Sequence, residues 1–453
     1  MNEPLPIAEA VAIDDPAEKR TSVRLAFFGS TPPFTKRQWR VFLITATAGF
    51  FDQYDRALLT LAIKQIQKGL QISEDALGSL LMWIRLGYIG SLLVTPLADV
   101  FGRRRLLLYT IIAYTVFTGL AAVAPSARTF TACQMLARVF AGAEGTIALV
   151  ILSEEVDAGV RGWAIGMLSA LASVGFGIAA LAFAGINVMP YGWRGLYALA
   201  LIPLVVVIPL RRSLPESKRF EREQLAGISP TNILAPVKTL FSAYPGRLVM
   251  LVTVAFLGNL GGNPAGFFFS KYLQEAHGWS PGNVSSLYFI GGALGIMGNI
   301  VAGRLSDRFG RRTMGSLFYI LAPILTVWLY SSGSNVMVTT GIFRPFPLVV
   351  PIWVFELFFD VASSTIGFAY SAELFPTSYR STAGSVLAVA GTTGGALGFF
   401  LEGVLYRITG SHWTAVQYLT VFWMAAPIIV FFFFPETAGR ELESISPEEP
   451  GAI

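Results

Sequence analysis

Cysteine, histidine and charge are what this chain has least of, and each shortage excludes a class of protein. A single cysteine, Cys133, rules out a disulfide within the chain. The two histidines, His277 and His412, stand far apart in apparent loops, so no metal site and no Cys/His catalytic pair is visible. Charged residues make up only 13% of the 453, against 54% hydrophobic, which no ordinary soluble domain of this length shows. Also missing are a nucleophile beside a base and a phosphate-binding loop, so an enzyme is not expected and no cofactor is called for. The first forty residues carry acids and prolines and lack the apolar core of a cleavable signal, so nothing suggests export, and the stretch up to about Arg20 reads as a disordered tail.

What is present is a polytopic membrane protein. A formal charge of +5 would suit nucleic acid if the bases formed one surface, but they lie in short clusters beside apolar spans and read as topology. Apolar runs long enough to cross a bilayer predict about twelve helices. The expected spans are 41–63, 77–98, 106–125, 130–153, 162–186 and 194–210, then 248–271, 284–305, 313–331, 347–372, 381–405 and 413–434. These divide the chain into a tail (1–38), a first six-helix half (39–212), a central loop (213–247), a second half (248–435) and a closing tail (436–453). Arg103-Arg104-Arg105, Arg211-Arg212 and Arg311-Arg312 recur in alternate connections, which by the positive-inside rule places them, and both termini, in the cytoplasm.

The halves repeat. Asp99-Val100-Phe101-Gly102-Arg103-Arg104 is matched by Asp307-Arg308-Phe309-Gly310-Arg311-Arg312. Glu154 to Arg161 is matched by Glu373 to Arg380, and Pro215-Glu216-Ser217 by Pro435-Glu436-Thr437. Three motif pairs at offsets of 208 to 220 residues imply two parallel six-helix halves related by a pseudo-two-fold axis along the membrane normal.

These residues resemble the major facilitator superfamily over essentially the whole chain after the tail. Gly303 to Arg312 is similar to that family's loop signature, although the first-half copy has Thr95 where glycine is usual and Val100 where a base is usual. Pro435 to Glu443 is similar to the sugar-porter tail, and Asp52-Gln53-Tyr54-Asp55 to the Asp-Gly-Tyr-Asp of aromatic-acid and metabolite proton symporters, with Gln53 in place of glycine. The resemblance implies alternating access driven by a proton gradient, in the plasma membrane, which is a bacterial inner membrane. It also implies that the pairs Asp99/Arg103, Asp307/Arg311, Glu154/Arg161 and Glu373/Arg380 latch one side and part in the other state.

Charges inside the spans carry the functional expectation, because they are expensive in hydrocarbon. Asp52, Asp55 and Arg56 share one face of the first helix, where Asp52 and Arg56 have the spacing of an intrahelical pair, leaving Asp55 to seek a partner elsewhere. At 1.5 Å per residue from the expected helix ends, Asp55, Arg85 and Arg138 lie roughly 22, 21 and 24 Å deep, on one level. Asp52, Asp55 and Glu144 can balance Arg56, Arg85 and Arg138. Glu356 and Asp360 share a face with no buried cation beside them in sequence, as a proton-coupling pair would. Asn259 and Asn263 sit among Gly258, Gly261, Gly262 and Pro264, a run expected to loosen its helix toward a cavity. Glu402 is placed near a helix end, where it reaches water.

Substrate contacts are therefore expected from Asp55, Arg85, Arg138, Tyr54, Asn259 and Asn263, and proton coupling from Asp52, Asp55, Glu144, Glu356 or Asp360. Tyr88, Trp83 and Trp353 are further candidates to line the pocket. Buried arginines without spare acids suit a carboxylate, so the expected activity is proton symport of a small organic anion by a monomer. Its partners are a small molecule and the lipid bilayer, with no nucleic acid. An organic cation or drug is the alternative, because Glu356 and Asp360 make the buried total negative. A sugar is disfavoured because 162–186 holds no glutamine or asparagine. A membrane sensor on the same scaffold is less favoured, since both halves keep the loop motifs of a moving carrier and no long signalling domain follows.

Overall fold

The structure is a computed structural model, and it describes residues 22, 24–25, 29–202, 234–331, 337–338, 346–376, 379–441 and 445–446. The first half runs α1 (Lys36–Leu61), α2 (Ile63–Leu70), α3 (Glu74–Val94), α4 (Leu97–Phe101), α5 (Arg103–Ala122), α6 (Ala127–Glu155), α7 (Ala158–Ala184) and α8 (Trp193–Leu199). The second runs α9 (Leu234–Ala243), α10 (Pro245–Glu275), α11 (Pro281–Phe309), α12 (Arg311–Ser331), α13 (Val349–Glu373), α14 (Arg380–Thr409), α15 (His412–Trp423) and α16 (Ala425–Phe433). Two short hairpins, β1 (Arg24–Leu25) with β2 (Gly29–Ser30) and β3 (Met337–Val338) with β4 (Phe346–Pro347), complete the described elements.

Ten helical spans among the described residues are long and apolar enough to cross a membrane. Their bounds match the expected spans to within a few residues. The first expected span is α1, 26 residues long but interrupted by Asp52, Asp55 and Arg56. The sixth begins with α8, while its continuation over 203–210 and most of the central loop lie outside the described residues. This agrees with a twelve-helix plan in two halves.

Local chemistry sets the helix ends. Thr35 caps α1 in a reciprocal box with Gln38, and Ser126, Ser280 and Ser411 accept from the first turns of α6, α11 and α15. Pro281 follows its cap at the first helical position, where no N–H is needed. The last span breaks between Trp423 and Ala425 because Pro427 cannot donate to the Trp423 carbonyl and its ring crowds that turn. The matched loop glycines, Gly102 (φ 93°) and Gly310 (φ 97°), both adopt a backbone that side chains resist. The sequence repeat is thus a repeat of shape.

Within the first half α1 packs on α7 and α6 on α3 and α5; in the second, α10 packs on α14 and α13 on α11 and α12. The halves meet where α3 lies along α14 and α7 along α11. Large apolar side chains such as Leu93, Phe368, Ile408 and Phe432 point outward. A soluble surface does not carry such a belt, whereas lipid accepts it.

Candidate functional site

Close helix crossings bring the charged layer together. Gly87 packs α3 on α6 so tightly that a methyl there would lie 2.3 Å from the Met135 carbonyl oxygen, and this sets Arg85 and Tyr88 beside Arg138. Asp55 is fully buried, as is Arg138 to within 2%. Arg138 Nη2 lies 2.6 Å from Asp55 Oδ2, so the partner expected for Asp55 on another helix is Arg138. The same guanidinium donates to Gln134 Oε1 at 3.2 Å, reaches the Tyr88 hydroxyl at 3.5 Å and stands 3.7 Å from Asp52. Asp52 also takes the intrahelical bond from Arg56. Arg56, Arg85 and Arg138 all approach the ring of Tyr88, with guanidinium carbons 5.1, 5.8 and 6.0 Å from its centroid.

The three arginines open on a cavity of about 300 Å³ whose other walls are Leu81, Ile84, Phe176, Phe267, Tyr288 and Phe399 from both halves. Its polar corner holds Asn263 beside Gly262. Arg85 has no ion-pair or hydrogen-bond partner among the described residues, and its Nε is buried with no acceptor. A second cavity of about 220 Å³ shares Gly262 and Asn263 and continues past Asn259, Tyr319, Asp360, Ser363 and Ser364 to Trp423. Apolar walls around a few convergent polar groups, cationic at one end and acidic at the other, are what a small-molecule site needs.

Several expectations are corrected. Tyr54 faces away from both cavities: it is buried and donates to the Leu196 carbonyl at 3.2 Å, because neighbours on a helix point about 100° apart. Glu144 is buried but makes no contact with Arg85, so the expected three-against-three balance is not one of contacts. Trp83 is exposed and Trp353 stacks on Phe269 at 5.2 Å; of the expected aromatics, only Tyr88 lines a cavity. Helix α10 stays continuous through Gly261, Gly262 and Pro264. Its asparagines bond their own helix, Asn259 to the Ala255 carbonyl and Asn263 to Asn259 Oδ1. The expected Glu356–Asp360 pair has no cation partner among the described residues; Glu356 accepts from Thr326 at 3.2 Å, and Asp360 faces the second cavity.

On the face carrying the basic clusters, Arg103 pairs with Glu154. Its counterpart Arg311 bonds Glu373 at 2.8 and 3.0 Å and Asp307 at 3.0 Å. The expected Glu373/Arg380 pair is absent, because Arg311 takes Glu373 and Arg380 donates instead to the Phe375 carbonyl. The side chains of Asp99 and Arg161 lie outside the described residues. Two participants were not foreseen. Glu436 accepts from the backbone N–H groups of Arg311, Arg312 and Ala438, and Thr437 donates to Glu373 at 2.6 Å. Partial burial would raise the Glu436 carboxyl, but these donors outweigh it and hold the group below the usual carboxylate range.

The opposite face holds a layer that sequence reasoning missed. Glu402, expected to reach water, is completely buried against His412. Lys271, also completely buried, bonds Gln67 at 2.5 Å and Glu74 at 2.6 Å across the two halves. Lys64 donates to the Gln274 carbonyl and Ser270 to the Leu61 carbonyl, so α1, α2 and α10 are sewn together here. A signal was available in Lys271, a lone cation at the end of the apolar Phe267-Phe268-Phe269 run.

Residues 45–344 match the sequence model of the Major Facilitator Superfamily. The chain belongs to that family. A protein of Haemophilus influenzae named for metabolite transport is 26% identical over 89% of this chain and 98% of its own. The 4-hydroxybenzoate transporter PcaK of Pseudomonas aeruginosa is 23% identical over 91% of this chain and 95% of its own. Among solved structures, the inward-open xylose transporter XylE of E. coli superposes with a TM-score of 0.70 at 17% identity, covering 90% of this chain and 99% of that one. This member of the superfamily is accordingly a membrane transporter and not an enzyme, with relatives named as carriers of an aromatic acid and of glucose.

Proposed function

We propose that the protein is a proton-coupled symporter of a small organic anion, an aromatic or other compact carboxylate. The observation that carries this reading is Arg85: a guanidinium on the cavity wall with no ion-pair or hydrogen-bond partner among the described residues, beside two arginines already matched to Asp52 and Asp55. A carboxylate would complete it through paired charge-assisted hydrogen bonds, against walls of Phe176, Phe267 and Phe399 suited to a ring. The 4-hydroxybenzoate transported by a relative has this chemistry.

Coupling follows from charge. A rocking carrier moves an anion without net charge if a proton crosses with it, and Asp55, Glu356 and Asp360 are the acids placed to hold that proton. With a proton on Asp55, Arg138 is freed toward substrate. The basic clusters support an orientation with both termini in the cytoplasm, and the reading takes the protein to be a monomer in a bacterial inner membrane. A second reading, an organic cation, is favoured by Asp360 alone, which faces the second cavity with no cation partner among the described residues.

Uptake into proteoliposomes of labelled aromatic acids, sugars and organic cations, with and without an imposed pH gradient, tests both. Accumulation of a carboxylate only under an inwardly acidic-to-alkaline gradient is expected. Accumulation of cations, with no carboxylate moved, overturns the first reading in favour of the second.

A further inference from the structure

On the face opposite the basic clusters, His412 is buried with both ring nitrogens against carboxylates: Nδ1 is 2.5 Å from Glu402 Oε1 and Nε2 is 2.8 Å from Glu74 Oε2. A neutral imidazole carries one N–H and can donate to only one of them. Two carboxylates on one ring therefore require a further proton, on the imidazole itself or on a carboxyl that donates to it. Either assignment gives the same count. The ring is fixed in this orientation by stacking between Phe268 and Tyr406, with centroids 4.9 and 4.2 Å away.

The two carboxylates belong to different halves. Glu402 and His412 come from α14 and α15, and Lys271, which bonds Glu74 and stands 3.4 Å from Glu275, comes from α10. Glu74 and Gln67 come from the first half. When the halves part on this face, Glu74 leaves for water, Lys271 keeps Glu275, and His412 faces Glu402 alone, for which one N–H suffices. Nearby, Arg407 and Asp75 form a pair at 3.6 Å and Lys64 is bonded to a carbonyl, so neither offers the ring a substitute charge.

We propose that Glu74, His412 and Glu402 form a proton-binding site that is complete only when this face is closed, so that a proton acts as the ligand that shuts the outer gate. This goes beyond the coupling proton of the symport reading. The gate proton binds and leaves on the same face and is not cargo, whereas the coupling proton crosses with substrate in the central layer.

Linkage fixes the sign and size. A single proton bound on closure raises the closed-to-open ratio as pH falls, by up to about tenfold per pH unit. The test measures distances between spin labels by pulsed electron resonance, without substrate, so its outcome is independent of the uptake assay. Labels go on Val188→Cys and Ile408→Cys in a Cys133→Ser background; both sites are strongly exposed, one in each half. Between about pH 5 and about pH 8 the wild type should pass from the short to the long distance. In Glu402→Gln the amide donates to Nδ1 while a neutral ring donates to Glu74, so closure needs no added proton and the ratio should stay within about twofold. Glu74→Gln, at a half-exposed position, makes the same prediction and decides the matter if Glu402→Gln does not fold. A wild type whose distances ignore pH, or a folded variant that keeps the wild-type slope, overturns the proposal.

Discussion

Arg138 stands between Asp55 and the central cavity, with Nη2 2.6 Å from Asp55 Oδ2 while the same guanidinium lines the cavity wall. Asp55 itself is sealed from that cavity, so under the proposed reading an anion there would compete for the arginine without meeting the aspartate. On that reading the ion pair is an exchangeable one. Both guanidinium arms are used, one on Asp55 and Gln134, the other toward Asp52 and Tyr88.

Asp55→Asn should abolish accumulation driven by a pH gradient while keeping downhill exchange, since it removes the exchangeable charge and keeps the shape. Arg138→Lys should fail in both assays, because a point charge cannot span the groups that a planar fork holds. Asp55→Leu should also lower the melting temperature, as stranding a buried arginine costs about 3–5 kcal/mol. Wild-type accumulation by Asp55→Asn would make Asp55 structural, and the same assay on Glu356→Gln and Asp360→Asn then locates the proton.

Much of this was legible beforehand, for identifiable reasons. Helix spans follow from runs of apolar residues, and the level shared by Asp55 and Arg138 from counting at a constant rise. What could not be read is anything decided by a neighbouring helix. Glu402 lies near enough to the end of α14 for water to be the default, and only the packing of α3, with Gly78 against the Phe399 carbonyl, seals it. The family resemblance implies that Glu373 pairs with Arg380, but Arg311 arrives from α12 and takes Glu373 with two hydrogen bonds. Tyr54 is next to Asp55 in sequence yet on another face of the helix.

Glu436 should tie stability to acid. Its carboxyl is held below the usual range by backbone donors, so the stabilisation is fully present above the unfolded value near 4.3 and is lost as pH falls through the folded value. Glu436→Gln should lower the melting temperature at neutral pH and flatten its fall on acidification below about pH 4.5. A variant that keeps the wild-type acid slope would show that the loss comes from other carboxylates.

Gly78→Ala should hold the opposite face open. A methyl there would meet the Phe399 carbonyl oxygen at 2.4 Å, the Gly403 nitrogen at 2.7 Å and Glu402 Oε2 at 2.9 Å, and two of these are backbone that cannot step aside. The helices α3 and α14 must separate. Labelling of Ser270→Cys, a fully buried position bonded across the halves on this face, in a Cys133→Ser background, by an impermeant thiol reagent should accelerate several-fold in the variant, with transport slowed. Unchanged labelling in folded protein would mean that α14 shifts locally instead.

Arg85 separates binding from folding more sharply than any other residue of the layer. It has no carboxylate partner among the described residues, so its loss strands no buried charge, and Arg85→Gln should melt within a few degrees of wild type. Its cost should appear in affinity. A charge-assisted hydrogen bond is worth about 1.5–3 kcal/mol, which corresponds to a roughly 10- to 100-fold weaker Kd for the transported carboxylate. Arg85→Lys should recover only part of this, since the paired geometry is lost while the charge remains. Calorimetric titration of the purified variants with the acid identified by the uptake panel measures both values. If Arg85→Gln binds the acid as wild type does, the free arginine is not the anion's partner, and Arg56 becomes the residue to test.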